Sequence, residues 1–134
     1  DALPALQEVA ASMVLIAVGG ALRRLSQEGI VPDFAVFYDA IGMKEQLHGL
    51  PADYLRQVTL LLWPVAQPCC FETPVGGRVM FMAQNAKQIS MWMDSVLGRE
   101  HHRLEGGGSV SLVAFQAALA MGCEQIILVG QDLA

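Results

Sequence analysis

Three runs in this chain are apolar almost without a break: Met13 to Val18 (MVLIAV), Phe34 to Tyr38 (FAVFY, followed by Asp39) and Val58 to Trp63 (VTLLLW, followed by Pro64). A strand with one wet face alternates apolar and polar residues, whereas an unalternating run is dry on both faces. Segments with helical spacing separate these runs. ALRRLSQEG follows Gly19-Gly20 and closes at Gly29, a residue suited to the left-handed cap. Pro4 to Ser12 reads as a short helix, and Gly42 to Gly49 and Pro51 to Gln57 as short helices or turns. RVMFMA (Arg78 to Ala83) is a fourth expected strand, and Ala86 to Gly98 a helix with Ile89, Trp92, Met93 and Val96 on one side. Ser109 to Gly122 is the last helix and QIILVG (Gln125 to Gly130) the last strand. Val65 to Gly77 and Arg99 to Gly108 read as loops. Apolar strands alternating with helices predict a three-layer α/β fold, Rossmann-like, with a mostly parallel sheet and helices on both faces.

The chain has 134 residues, enough for one domain with a real core and too few for two ordinary ones. Residues 1–134 are therefore expected to form a single α/β domain. The chain lacks an initiator Met and stops at VGQDLA, so it is expected to be a piece of a larger multidomain protein. Its net charge of −5 argues against nucleic acid as partner, since phosphate backbones call for concentrated basic surface. No apolar run reaches the roughly 20 residues that cross a bilayer. Cys69, Cys70 and Cys123 are odd in number and lack metal-ligand spacing, which fits reduced thiols in the cytoplasm.

In parallel sheets ligands sit outside the carboxyl ends of the strands. That rule selects Gly19-Gly20, Asp39, the loop after Pro64, and Gly130-Gln131-Asp132. A fifth place is the stretch LEGGGSVSLVAF (Leu104 to Phe115), where Gly106-Gly107-Gly108 run into a helix. Glycines let a backbone approach a ligand, and the free amides of a helix N-terminus favour an anion. Ser109 or Ser111 can cap that helix or donate to phosphate. By composition alone the stretch is an ordinary loop and cap. It is neither a Walker A loop nor a dinucleotide fingerprint. Asp39 and Asp132 can each accept from a sugar hydroxyl, hold a metal, or cap the next turn. The adjacent His101-His102 and Cys69-Cys70 read as a solvated loop and as unreactive thiols. Trp92, with Met91 and Met93, fills core or a protein interface.

Leu15 to Ala40 and Gly106 to Ala134 resemble the central domain of the bacterial motility accessory factors, flagellin nonulosonic-acid glycosyltransferases. Their family also contains the archaeal hydroxymethyldihydropterin diphosphokinases. The likeness rests on Gly29-Ile30, Pro32-Asp33-Phe34, the strand ending in Asp39, Gly107-Gly108-Ser109-Val110, the Ala-rich helix to Gly122, and Gly130-Gln131-Asp132-Leu133. It covers less than half of the chain; Ile41 to Glu105 matches only in its strand–helix rhythm. The domain also resembles bacterial sialyltransferases that use CMP-activated acid sugars. These place Asn where this chain has Asp39, Asn-Gln where it has Gly19-Gly20, and Thr-Ser-Gly at Ser109-Val110-Ser111.

The resemblance implies a sialyltransferase-like fold and a nucleotide-sugar pocket. Asp39 would meet the donor, Gly107, Gly108, Ser109 and Ser111 would line its phosphate or sugar, and Gly130 and Asp132 would shape the next loop. It implies transfer of a CMP-linked nonulosonic acid of pseudaminic or legionaminic type to Ser/Thr of flagellin. No catalytic residue is assigned within the chain: the sialyltransferase His lies past the Gly-x-Asp strand, and the family's Gly-Pro-Ser nucleotide loop precedes Leu15. A fragment without either is expected to be inactive alone. The sialyltransferases need no metal, whereas the diphosphokinases use magnesium, so magnesium is possible, with Asp39 and Asp132 as candidate ligands. The alternatives are thus a magnesium-dependent pterin diphosphokinase-like enzyme, or a non-catalytic flagellin-binding or chaperone module.

Overall fold

The computed structural model describes residues 3–38, 41–63, 66–83, 92, 95–96, 103–104 and 109–130. The chain enters through helix α1 (Leu3–Val9) and a 3-10 turn, Ala10–Ser12. Strand β1 (Ile16–Val18) then leads through a second 3-10 turn, Gly19–Ala21, into α2 (Leu22–Gln27). Strand β2 (Phe34–Phe37) is followed by the short helices α3 (Met43–Leu47) and α4 (Ala52–Leu55). Strand β3 (Thr59–Leu62), helix α5 (Cys69–Glu72) and strand β4 (Gly77–Met80) complete a sheet of order β1-β2-β3-β4. All three pairings are parallel, with Val18 opposite Val36, Phe37 opposite Leu62, and Leu62 opposite Met80. A separate parallel pair joins β5 (Met82–Ala83) to β6 (Arg103–Leu104), and α6 (Val110–Ala120) is the longest described helix.

The unalternating runs do what their composition dictates. One face of the sheet packs Ala35, Phe37, Leu60 and Leu62 against Leu22, Leu25, Met43, Leu47 and Leu55 of α2, α3 and α4. The other packs Val36 and Leu61 against Phe81, Leu104 and, from α6, Val113 and Ala117. Helices therefore cover both faces, and the expected three-layer Rossmann-like arrangement is observed.

Asp33 holds the start of the sheet. Its carboxylate accepts from the Leu15 N–H at 2.8 Å, and its carbonyl accepts from the Thr59 N–H at 2.9 Å. One residue thus fixes how β1, β2 and β3 begin, immediately after the buried Pro32. Gly29 and Gly122 end α2 and α6 with φ of 69° and 84°, the left-handed geometry expected of them. Tyr54 is buried, and its hydroxyl donates to the Ile30 carbonyl at 3.1 Å.

Three expectations change. The supposed loop after Trp63 contains the one-turn helix α5, whose Cys70 is fully buried with its sulfur 3.3 Å from that of Met43. The polar stretch before Gly106 contributes Arg103–Leu104 as a short strand. QIILVG forms no strand: residues 125–129 pair with no described strand, and Ile127 is 70% exposed. β-branching suits a run to a pleated ladder, but a ladder needs a neighbouring edge to bond to, and here none is engaged. Trp92 is 63% exposed, so of its two expected places the core is excluded. Most of the expected helix from Ala86 to Gly98 lies outside the described residues, as do His101-His102. No described helix is long and apolar enough to cross a membrane.

Candidate functional site

At the carboxyl ends of β1 and β2 the chain opens a cleft of about 220 Å³. Its walls come from four places. The turn after β1 brings Gly19 and Gly20, the end of β2 brings Tyr38, α3 brings Met43 and Gln46, and the start of α6 brings Ser109 and Ser111. This is the edge where parallel sheets bind ligands, because strand ends, turns and helix N-termini all leave backbone groups unpaired there.

The start of α6 is built as a cap. Ser109 has extended backbone, and its Oγ accepts from the Ser111 N–H at 3.2 Å. The Ser109 carbonyl accepts from the Leu112 N–H at 3.2 Å and, more weakly, from the Val113 N–H at 3.4 Å. Because Oγ accepts within the cap, the hydroxyl proton of Ser109 remains to be donated outward. The sequence left open whether serine caps or binds here, and this geometry permits both at once.

Gly19 is where the backbone must come close. A Cβ there would lie 2.2 Å from Gln46 Oε1 and 2.7 Å from the Phe37 ring, so the turn fits only without a side chain. Gly20 differs: a Cβ there would meet nothing within 4 Å, and the residue is exposed. The polar Asn-Gln of the sialyltransferases is thus replaced by one glycine pressed against α3 and one facing open space. The Gln46 amide, beside that turn, makes no hydrogen bond to another described residue and offers a donor and an acceptor to the cleft.

Of the residues expected at the site, Ser109 and Ser111 line the cleft. Gly130 takes φ of 70°, is exposed, and is not among the residues lining it. Asp39, Gly107, Gly108 and Asp132 lie outside the described residues. The sequence reading missed Tyr38 and Gln46. Tyr38 was legible as the last residue of an apolar run, next to Asp39. Gln46 carried no signal, since a glutamine on a short helix reads as solvated surface.

Outside the cleft, Cys70 is chemically quiet. Burial first, and then the neighbouring Cys69 thiol, push its pKa up to about 12, against a smaller opposite pull from Arg78. A thiol held in that form is no nucleophile at neutral pH. Among the described residues no three His, Cys, Asp or Glu side chains gather as metal ligands. The described walls of the cleft offer hydroxyl and amide oxygens but no carboxylate. They do not by themselves fit magnesium, which favours carboxylates and phosphates, and no step below runs through a metal.

A parallel sheet covered by helices on both faces, with a cleft of mixed lining at its carboxyl edge, defines a Rossmann-like α/β domain. A family model described as 6-hydroxymethylpterin diphosphokinase MptE-like matches residues 1–134, and the chain belongs to this MptE-like family. The expected kinship with the pterin diphosphokinases therefore holds at family level. No curated protein and no solved structure matches the chain.

Proposed function

We propose that the protein carrying this chain is a nucleotide-dependent transferase, and that the cleft between β1, β2 and α6 holds the phosphate-bearing end of its nucleotide substrate. The single observation behind this reading is the meeting of Ser109, Ser111 and the start of α6 with Gly19-Gly20 at one strand edge. An anionic phosphate there accepts from the Ser109 hydroxyl and sits against the positive end of the helix. Oriented donors of this kind stabilise a departing phosphate without reorganising during the reaction.

The first substrate reading is a CMP-linked nonulosonic acid, transferred in the cytoplasm to Ser/Thr of flagellin. The likeness of Gly29 to Asp39 and of Gly107 to Leu133 to the motility accessory factors supports it. In that reaction the bond between the anomeric carbon and the phosphate oxygen breaks. The acceptor hydroxyl oxygen takes its place at carbon, its proton passes to a base, and CMP leaves carrying the negative charge. The cleft acts on the leaving CMP.

The family description supports a second reading, transfer of diphosphate from ATP to a hydroxymethylpterin with magnesium. Titrating the full-length protein with CMP in EDTA, and with ATP plus magnesium, separates the two. CMP binding that survives EDTA is expected from glycosyl transfer. Binding of ATP alone, and only with magnesium, is expected from diphosphokinase chemistry. Binding of neither nucleotide contradicts both.

A further inference from the structure

Helix α3 has only five residues, and side chains from two other elements hold its ends. At its N-terminus Gly42 brings no capping side chain. Gln67, just before α5, takes that place: its Oε1 accepts from the Met43 N–H at 3.0 Å and from the Lys44 N–H at 3.2 Å. At the other end Nη2 of Arg23, on α2, donates to the carbonyls of Glu45 at 2.9 Å and His48 at 2.8 Å. A helix leaves its first N–H and last C=O groups unpaired, so these bonds fix where α3 sits. Between the two clamps Met43 and Leu47 are buried, and Gln46, one turn after Met43, is carried to the cleft.

Gln46 itself bonds to no described residue. It is half-buried, and among the described residues no buried side-chain oxygen or nitrogen lacks a partner, so both its amide atoms reach solvent. Its oxygen lies against the Gly19 backbone, where no Cβ would fit, which leaves the two N–H donors for a ligand. Met43 and Leu47 belong to the core on one face of the sheet, Val113 and Ala117 of α6 to the core on the other. The cleft therefore receives the Gln46 amide from one helical layer and the Ser109 hydroxyl from the opposite one. None of the described residues that line it is charged.

We infer that Gln46 is a second phosphate-binding residue, its N–H donors meeting the anionic oxygens that Ser109 meets from the other layer, and that Gln67 and Arg23 are the positioning residues that hold it there. The inference rests on the transferase reading. Neutral donors hold an anion well when they are fixed in advance and need not reorganise around it. A helix of this length is unstable by itself in water, and the two clamps supply the fixity that it lacks.

Equilibrium titration of the full-length protein with CMP, and with ATP plus magnesium, tests both parts on whichever nucleotide the wild type binds. Gln46→Met keeps the length of the side chain and removes the donors. Affinity should fall about ten- to hundred-fold, the worth of a hydrogen bond to a charged acceptor. Gln46→Glu sets a carboxylate against the phosphate and should bind more weakly still. Both variants should unfold at the wild-type urea midpoint, since Gln46 bonds to no described residue. Gln67→Leu and Arg23→Met should weaken binding about three- to ten-fold, but less than about two-fold when added to Gln46→Met, because they act through Gln46. Gln67→Glu keeps an accepting oxygen for the α3 amides and should bind like the wild type. Gln46 variants that bind as the wild type does, or Gln46→Glu binding more tightly than Gln46→Met, overturn the phosphate assignment while the transferase reading stands. Equal losses for the clamp variants in the two backgrounds mark a general loosening of the fold and overturn the positioning role. If the wild type binds neither nucleotide, the transferase reading falls and the role of Gln46 with it.

Discussion

Ser109 carries two tasks that substitutions can pull apart. Ser109→Ala loses the oxygen that accepts from Ser111 N–H and should lower stability by about 1 kcal/mol, read by urea unfolding. Ser109→Asp keeps a good cap and favours the helix dipole, so stability should stay within about 0.5 kcal/mol of wild type. It also sets a carboxylate against the substrate phosphate, and nucleotide affinity should collapse. A Ser109→Asp protein that bound nucleotide normally would remove Ser109 from the site. Cys70 offers a second residue-level check. At pH 8 a chromogenic disulfide reagent should titrate two of the three thiols quickly, Cys69 and Cys123, and reach Cys70 only on unfolding. The sequence marked Ser109 through its glycine loop, and Asp33 only as part of a likeness. That Asp33 clamps three strands is a matter of distances between residues far apart in the chain, and composition does not encode it.

Among the elements, the strands were the most legible, because unalternating apolar runs have few homes other than a covered parallel sheet. The helix ends at Gly29 and Gly122 followed from glycine's access to positive φ. The one-turn α5 was hidden by prolines and glycines on either side, which read as loop even when four residues between them close a turn. The run at 125–129 shows the opposite failure: strong strand composition without a paired edge. The two behaviours predict different mutational costs. Leu61→Ala, inside β3 and buried, should destabilise by about 2–5 kcal/mol. Ile127→Lys should change stability by less than about 0.5 kcal/mol, as at ordinary exposed positions. A loss above about 2 kcal/mol for Ile127→Lys, by the same urea unfolding, would mean that the run is packed as a strand after all.

For the whole molecule, the parallel architecture and the placing of a site at its carboxyl edge could be argued from sequence, since both follow from strand composition and connectivity. The cleft's actual walls could not, because Tyr38, Gln46 and Gly20 come from a strand end, a helix and a turn that meet only on folding. The molecule should also have a defined alkaline limit. Burial pushes the Tyr54 pKa from 10.0 up to about 12, and Cys70 moves from 9.0 to about 12. Both groups are favoured in their neutral, protonated forms in the folded state. Their contribution is complete below about pH 9 and is lost as pH rises toward 12, where the unfolded chain ionises first. The Tm should therefore fall steadily across that window, and Tyr54→Phe should make the part above pH 10 shallower. The central claim is that the cleft is where the phosphate-bearing end of a nucleotide is held. Tryptophan emission tests it most directly, because Trp63 stacks on Tyr38 and Trp92 is the other tryptophan in the chain. With Trp92→Phe in the full-length protein, emission reports Trp63 alone. Saturable quenching by CMP or by ATP that is abolished by Ser109→Asp is the predicted result. Tight nucleotide binding that leaves Trp63 emission unchanged and survives Ser109→Asp would place the ligand elsewhere and contradict the account.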